Sequence, residues 1–383
     1  MGNFNRLSPD QSLDTLFIRR DELYSQYVIG NACVWGDNAS GQLGYSDTAS
    51  RSSPIFLGSN MWKTASWGNA ATNLLAFVLQ DGSLWSIGTN AYGQLGVDST
   101  VDKSSPVRVG ARTDWKQVSA EALSVMAIKT DGTLWAWGYN TDGRLGLGDV
   151  VHRSSPVQVG SLSTWASVSH GGSNVLATKT DGTLWAWGAN TYGGLGKANT
   201  TSYSSPVQVG FQSNWKRVVA TGSSNFGSSL ALKTDGSLWS WGYAGDGELG
   251  LGDLINRSSP VQVGALVSWV SVHASGHHVL AIQNDGSLWA WGYNVHGNLG
   301  LGDTGNRSSP VRVGALNTWS AVSVGWYHAL AVKTDGSLWA WGNNTYGQLG
   351  LGDANARSSP VQVGSGTNWR SPAAGGHSSL VIR

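Results

Sequence analysis

The phrase Asp335-Gly336-Ser337-Leu338-Trp339-Ala340-Trp341-Gly342-Asn343-Asn344-Thr345-Tyr346-Gly347-Gln348-Leu349-Gly350-Leu351-Gly352-Asp353 decides the fold. Asp335-Gly336 lies between the apolar run Ala329 to Lys333 and the Leu-Trp-Ala-Trp run that follows. An Asp-Gly pair between two short apolar runs signals a β-hairpin, because a tight primed turn needs a positive φ. The glycines from Gly347 onward mark a loop. Beyond it stand Ser358-Ser359-Pro360 and then Trp369.

Outward from this phrase, the chain repeats it seven times. The landmark Trp-Gly falls at Trp35, Trp137, Trp187, Trp241, Trp291 and Trp341, with Ile87 as a substitute in the second copy, and successive gaps are 52, 50, 50, 54, 50 and 50 residues. Each copy then carries Gly-x-Leu-Gly, Ser-Ser-Pro (Tyr203-Ser204-Ser205-Pro206 among them) and a further Trp, at 62, 115, 165, 215, 269, 319 or 369. A fixed period near 50 residues marks a repeat fold. Within a unit the runs Val279 to Ile282, Ser287 to Trp291, Pro260 to Val263 and Trp269 to Val272 read as short strands, the last two separated by a Gly turn. Four strands per unit make a propeller blade, and no unit holds a helix-length run of 3.6-residue periodicity, so helical solenoids are excluded. The expected fold class is all-β, a seven-bladed β-propeller over residues 28–383.

The phrase at 335–353 resembles the regulator of chromosome condensation repeat, and in-register copies carry the resemblance over roughly residues 28 to 383. Members of that family form seven-bladed propellers. The resemblance implies no single function, since the family includes a chromatin-bound nucleotide exchange factor, bacterial enzyme-inhibitor propellers and other modules. The exchange factor acts on its small GTPase partly through an inserted β-wedge. Here the largest excess over the period is four residues, between Ala220 and Gly227, and no basic tail is present, which argues against exchange activity.

Ring closure is also written in the ends. The last unit stops at Ser379-Leu380-Val381-Ile382-Arg383 without the Asp-Gly turn and Trp-rich strand that should follow, while Ala32-Cys33-Val34-Trp35-Gly36 matches Leu338 to Gly342. The two terminal strands are expected to pair in a composite blade and remove the free edges.

Composition narrows the partners. The 24 Lys+Arg and 23 Asp+Glu leave a net charge of +1 without a basic block, so the usual electrostatic footprint for nucleic acid is missing. Glu occurs only at 22, 121 and 248, while 53 Gly and 21 Trp fit a glycine-turned β body. Cys33 stands alone, which removes intrachain disulfides and Cys-based zinc or iron–sulfur sites. Charged residues through Met1 to Asp21 argue against a Sec-type signal peptide, and no apolar run reaches the ~18 residues of a membrane span. The expected location is the cytoplasm or a particle assembled there.

No catalytic, cofactor-binding or metal-binding residue is singled out. Phosphate-loop and nucleophile-elbow motifs are absent, and Asp142-Gly143-Arg144 and Asp246-Gly247-Glu248 lack the alternating oxygen ligands of a calcium loop. Asp149/Arg153, Asp253/Arg257, Asp303/Arg307 and Asp353/Arg357 recur in one place and read as loop clasps. His170, His273, His277, His278, His328 and His377 fall in one loop class, taken to join successive units, and read as framework, with Gly325-Trp326-Tyr327-His328 fitting the family's Gly-x-x-His. Function is sought where the copies differ. The same loops carry Trp67, Glu121, Phe226, His277, Trp326 and Tyr327, a candidate protein-binding face, although such rings can equally plug a central channel.

Residues 1–27 lie outside the repeat as an N-terminal arm. Ser8-Pro9-Asp10-Gln11 is a helix start, and Leu13, Leu16, Phe17, Leu23 and Tyr24 form an apolar stripe, the candidate partner-binding face of the arm. The expected function is non-enzymatic. The first reading is a structural, protein-binding propeller displayed on a larger assembly, such as a virion decoration, tail or receptor-binding component, docked through the arm. The second is a soluble regulator or inhibitor that grips a protein through the aromatic loops.

Overall fold

A computed structural model describes residues 31–57, 62–68, 73–121, 123–222 and 226–383. The arm reading, with Leu13, Leu16, Phe17, Leu23 and Tyr24, lies outside the described residues. Seven antiparallel sheets of four strands follow one another around a ring. Blade 6 is typical: Trp319–Val324, His328–Lys333, Leu338–Gly342 and Arg357–Gln362, paired in that order. Blades 1 to 5 span residues 62–108, 115–158, 165–208, 215–262 and 269–312. The first strand of each blade meets its counterparts in both neighbouring blades and so faces the hub.

Blade 7 is composite and closes the ring. Ala32–Gly36 runs antiparallel to Ser378–Ile382, with Ala32 opposite Ile382, Val34 opposite Leu380 and Gly36 opposite Ser378. The backbone N–H groups of Asn31 and Arg383 donate to each other's carbonyls at 3.0 Å. Asn31 and Arg383 thus stand where the missing seventh Asp-Gly turn would be, as the match between Ala32–Gly36 and Leu338–Gly342 requires.

The repeat unit read from the sequence is out of phase with the blade. The Gly turn after Val263 does not join two strands of one sheet: Arg257–Gln262 is the outer strand of blade 4 and Trp269–Ser275 the inner strand of blade 5. The loops that carry the histidines therefore lie within blades, between first and second strands. His170 and His273 are inside inner strands, and His278 and His328 begin second strands.

In six of the seven blades a buried tryptophan packs against the preceding blade. Trp35, Trp137, Trp187, Trp241, Trp291 and Trp341 are fully buried. The Nε1–H of each donates at 2.8–3.0 Å to a carbonyl in the Gly-x-Leu-Gly loop of the preceding blade. Burying an indole is worth on the order of 5 kcal/mol of transfer free energy, and the hydrogen bond fixes which loop it packs under. Blade 1 has Ile87 instead, equally buried but without a donor.

The Asp-Gly turns lie on the opposite side of the ring from the Gly-x-Leu-Gly loops. In each the Asp carboxylate organises its own turn: Asp335 Oδ1 accepts from the Ser337 N–H at 2.9 Å and its hydroxyl at 2.6 Å, and Trp339 Nε1–H donates to that hydroxyl oxygen at 2.9 Å. The four loop clasps form as ion pairs of 2.5–2.7 Å, and Asp47–Arg51 adds a fifth at 2.6 Å. Their repetition identifies them as framework. Among the described residues no helix is long and apolar enough to cross a membrane.

Candidate partner-binding face

On the loop face, two loops meet at each seam between blades. One is the Gly-x-Leu-Gly loop of the leading blade. The other is the short connection between inner and second strands of the next. The variable residue of Gly-x-Leu-Gly is Gln42, Gln94, Arg144, Gly194, Glu248, Asn298 or Gln348. In blade 6, Gln348 Oε1 accepts the Tyr346 N–H at 2.9 Å and its Nε2–H donates to Asn343 Oδ1 at 2.8 Å. Gln94 repeats this with Tyr92 at 2.9 Å and Thr89 at 3.4 Å. The slot wants an acceptor on one branch and a donor on the other, which an amide supplies.

Glu248 fills the slot in blade 4 with a carboxylate. Its Oε2 accepts the Asp246 N–H at 2.9 Å, as the amides do, but its Oε1 is buried without a hydrogen-bond partner. Across the seam, His277 Nδ1 lies 3.2 Å from Asp246 Oδ2 and 3.6 Å from Glu248 Oε1. Burial disfavours a charge on His277, but the two facing carboxylates outweigh it and raise its pKa above the ordinary histidine value.

Around this acidic centre runs a belt of rings. Tyr192 stacks on Phe226 at 5.3 Å, and both meet Tyr243 at 5.1 Å. Tyr243 contacts His277 at 6.2 Å, which contacts Tyr293 at 6.5 Å, and Tyr293 reaches Tyr327 at 5.7 Å. Tyr327 stacks on Trp326 at 5.3 Å, and His377 links Trp326 to Tyr346 at 5.8 and 4.9 Å. The belt crosses the loops of blades 3 to 7. Tyr243, Tyr293 and Tyr327 are all pushed up in pKa, first by burial, and Asp246 contributes to each. Most of these rings are partly exposed, with Phe226 at 39% and Tyr346 at 43%.

Of the residues singled out from the sequence, Phe226, His277, Trp326 and Tyr327 fall together in the belt. Trp67 and Glu121 do not. Trp67 is buried at the seam between blades 7 and 1, where a Cβ on Gly375 would overlap its side chain, and Glu121 is buried at the end of an inner strand. Tyr192, Tyr243, Tyr293 and Tyr346 join the belt as well, and the signal for them in the sequence is that each belongs to the glycine-rich loop whose copies vary. Along the chain Asp246 and Glu248 offer only an incomplete calcium motif, and His277 stands apart from them.

His328 and His170 are structural groups. His328 Nε2 and the Ser379 hydroxyl are 2.9 Å apart, and the ring occupies space that any side chain on Gly325 would take. Full burial pushes His328 down to about 3, with small further effects of His377 and His278. His170 is likewise at about 3, from burial and then the Arg144 charge. These imidazoles are neutral at neutral pH.

The profile of the regulator of chromosome condensation (RCC1) repeat matches residues 81–128, 131–178, 181–226, 235–282, 285–332 and 335–382. The chain belongs to this family. Each RCC1 match begins at an Asp-Gly turn, and five of the six end in the second strand of the next blade, the match 181–226 stopping just before it, so the family's unit shares the phase read from the sequence. No curated protein matches the chain in sequence. Yeast RCC1 (Prp20), in a crystal structure bound to Kap60, superposes with a TM-score of 0.83 at 19% identity, covering 95% of this chain and 91% of that one. Prp20p from Saccharomyces cerevisiae, described with its binding properties to Gsp1p and histones, gives 0.82 at 19% identity, covering 95% and 94%. Human WBSCR16 gives 0.81 at 19% identity, covering 92% and 98%. At these identities the likeness is one of fold.

Proposed function

We infer that this RCC1-repeat propeller is a non-enzymatic protein-binding module that takes its partner on the loop face, with the Tyr192-to-Tyr346 belt as the anchor. The observation that carries this reading is the belt itself. Partly exposed aromatic rings are gathered where the repeats diverge, while repeated positions account for the packing. Large rigid rings on a fixed platform supply contact area at little entropic cost, and such side chains dominate protein interfaces. Exposed apolar residues near the same face, Val150, Val151, Leu254 and Ile255, extend the candidate contact surface. The yeast relative's complex with Kap60 supports a propeller of this family acting as a protein-binding body. Display on a larger assembly, virions included, rests on the arm alone and is the weaker-supported reading.

The test compares the wild type with Tyr243→Ser/Phe226→Ser/Trp326→Ser, each used to isolate partners from the native source. A protein held by the wild type, lost by the triple variant, and lost without a matching fall in melting temperature supports the reading. A partner retained equally by both places the interface elsewhere.

A further inference from the structure

We propose that Asp246, Glu248 and His277 form a binding site for a divalent transition-metal ion, zinc being the best match, at the seam between blades 4 and 5. The three side chains bring Asp246 Oδ2, Glu248 Oε1 and His277 Nδ1 within 4.8 Å of one another. Two of the separations, 3.2 and 3.6 Å, bracket the ~3.3 Å expected between ligand atoms of a tetrahedral ion with bonds of about 2.0 Å.

Acidic groups often cluster without holding an ion, so the case rests on Glu248. The residue is 1% exposed, its Oε1 makes no hydrogen bond of normal geometry, and that oxygen faces His277 Nδ1 at 3.6 Å, which is itself 3.2 Å from Asp246 Oδ2. An unsatisfied buried carboxylate oxygen is costly, and here the molecule supplies its own control. In blades 1 and 6 the same slot holds an amide whose second branch donates a hydrogen bond. Blade 4 replaces that donor with an acceptor and sets a second carboxylate and an imidazole beside it. A divalent cation placed there would engage both carboxylates and the imidazole at once.

The surroundings hold the ligands in place. Glu248 Oε2 is fixed by the Asp246 N–H at 2.9 Å and its carbonyl by Trp291 Nε1–H at 2.9 Å, while Tyr243 and Tyr293 flank the imidazole. One imidazole with two carboxylates suits zinc, and the two negative charges balance the ion; calcium would require six or more oxygens. Asp246 retains 27% of its side-chain exposure, so the fourth position opens to solvent on the loop face. The site stands independently of the docking reading: a metal could hold the seam whether or not a partner covers the belt.

The experiment is titration of chelator-treated full-length protein with zinc chloride at neutral pH by calorimetry, with cobalt(II) absorption as a report on geometry. One zinc per chain is expected, together with tetrahedral cobalt bands. Glu248→Gln installs the amide that blades 1, 6 and 7 already use, so it should fold normally, and it should weaken zinc by more than roughly 100-fold, as should His277→Ala. His152→Ala, on a different part of the face, should leave the site intact. Failure of the wild type to bind one equivalent, or equally tight binding by Glu248→Gln and His277→Ala, overturns the assignment.

Discussion

The Asp-Gly turns on one side of the ring and the glycine-rich loops on the other are built from the same repeats, but they tolerate difference very unequally. On the turn face the same Asp, Gly, Ser or Thr, and Trp recur, and each turn closes its own hydrogen bonds: Asp131 with Thr133 and Trp135 repeats what Asp335 does with Ser337 and Trp339. On the loop face a buried slot takes Gln, Asn, Arg, Gly or Glu, and the connections beside it carry residues as different as Asn73, Leu123, Ser173, His277 and Tyr327. A hairpin turn must satisfy its bonds locally, so each copy meets the same constraint. A seam is satisfied between two blades, so a change on one side can be met from the other.

Acid should separate the two faces most strongly. His170 and His328 have folded pKa values of about 3 against an unfolded value of 6.5, so their contribution is intact above pH 6.5 and is lost as pH falls toward 3. Each loses roughly 1.4 kcal/mol per pH unit in that window, on the order of 5 kcal/mol for both by pH 4.5. The turn-face carboxylates Asp131, Asp181, Asp235 and Asp335 have pKa values lowered below 3.8, so what they contribute persists above that value and fades only further down. Hydrogen exchange at pH 4.5 is therefore expected to open the loop-face ends of the His170 and His328 strands before the Asp-Gly turns. Simultaneous opening would erase the distinction.

Gly336→Ala probes the turn face directly. Its φ is +79°, and a Cβ there would sit 2.0 Å from the Thr367 carbonyl oxygen. Backbone strain and the clash should together cost about 3 kcal/mol in denaturant unfolding. A loss below ~1 kcal/mol would show that the turn face is as permissive as the loops.

On the loop face, Tyr243→Ser with Trp326→Ser should cost only about 1–2 kcal/mol by the same measurement, because both rings are partly exposed. A larger loss would make the belt a packing element. The smallest effect belongs to Glu248→Gln in metal-free protein: a change of less than ~1 kcal/mol, since the amide already serves this slot in Gln94 and Gln348. A loss well above that would mean that the His277 contacts are already a strong stabilising pair without any ion.

The fold was legible because its signals are local and repeated: Asp-Gly between apolar runs, and Ala32–Gly36 matching Leu338–Gly342 closely enough to give the closing strand pair. Blade phase was not legible. The hairpin turn is the strongest local punctuation, whereas a blade edge is set by which strands fail to pair, as between Arg257–Gln262 and Trp269–Ser275. At the candidate site, Phe226, Trp326 and Tyr327 could be found as departures from the repeat. The meeting of Glu248 with His277 could not, because the two belong to different blades and neither loop alone resembles a ligand set. Trp67 looked equally divergent, but its burial against Gly375 depends on the ring being closed.

The meeting of Asn31 with Arg383 has a further consequence. Both strands of the closing pair reach the side of the ring where an Asp-Gly turn would otherwise stand, so whatever is tethered through residue 31 or 383 departs from the side opposite the aromatic belt. A fusion or support attached there leaves the belt unobstructed. The same adjacency makes the ring indifferent to where the chain starts: a circular permutant, linked from 383 to 31 and opened at Asp285-Gly286, would thread the same seven blades in rotated order.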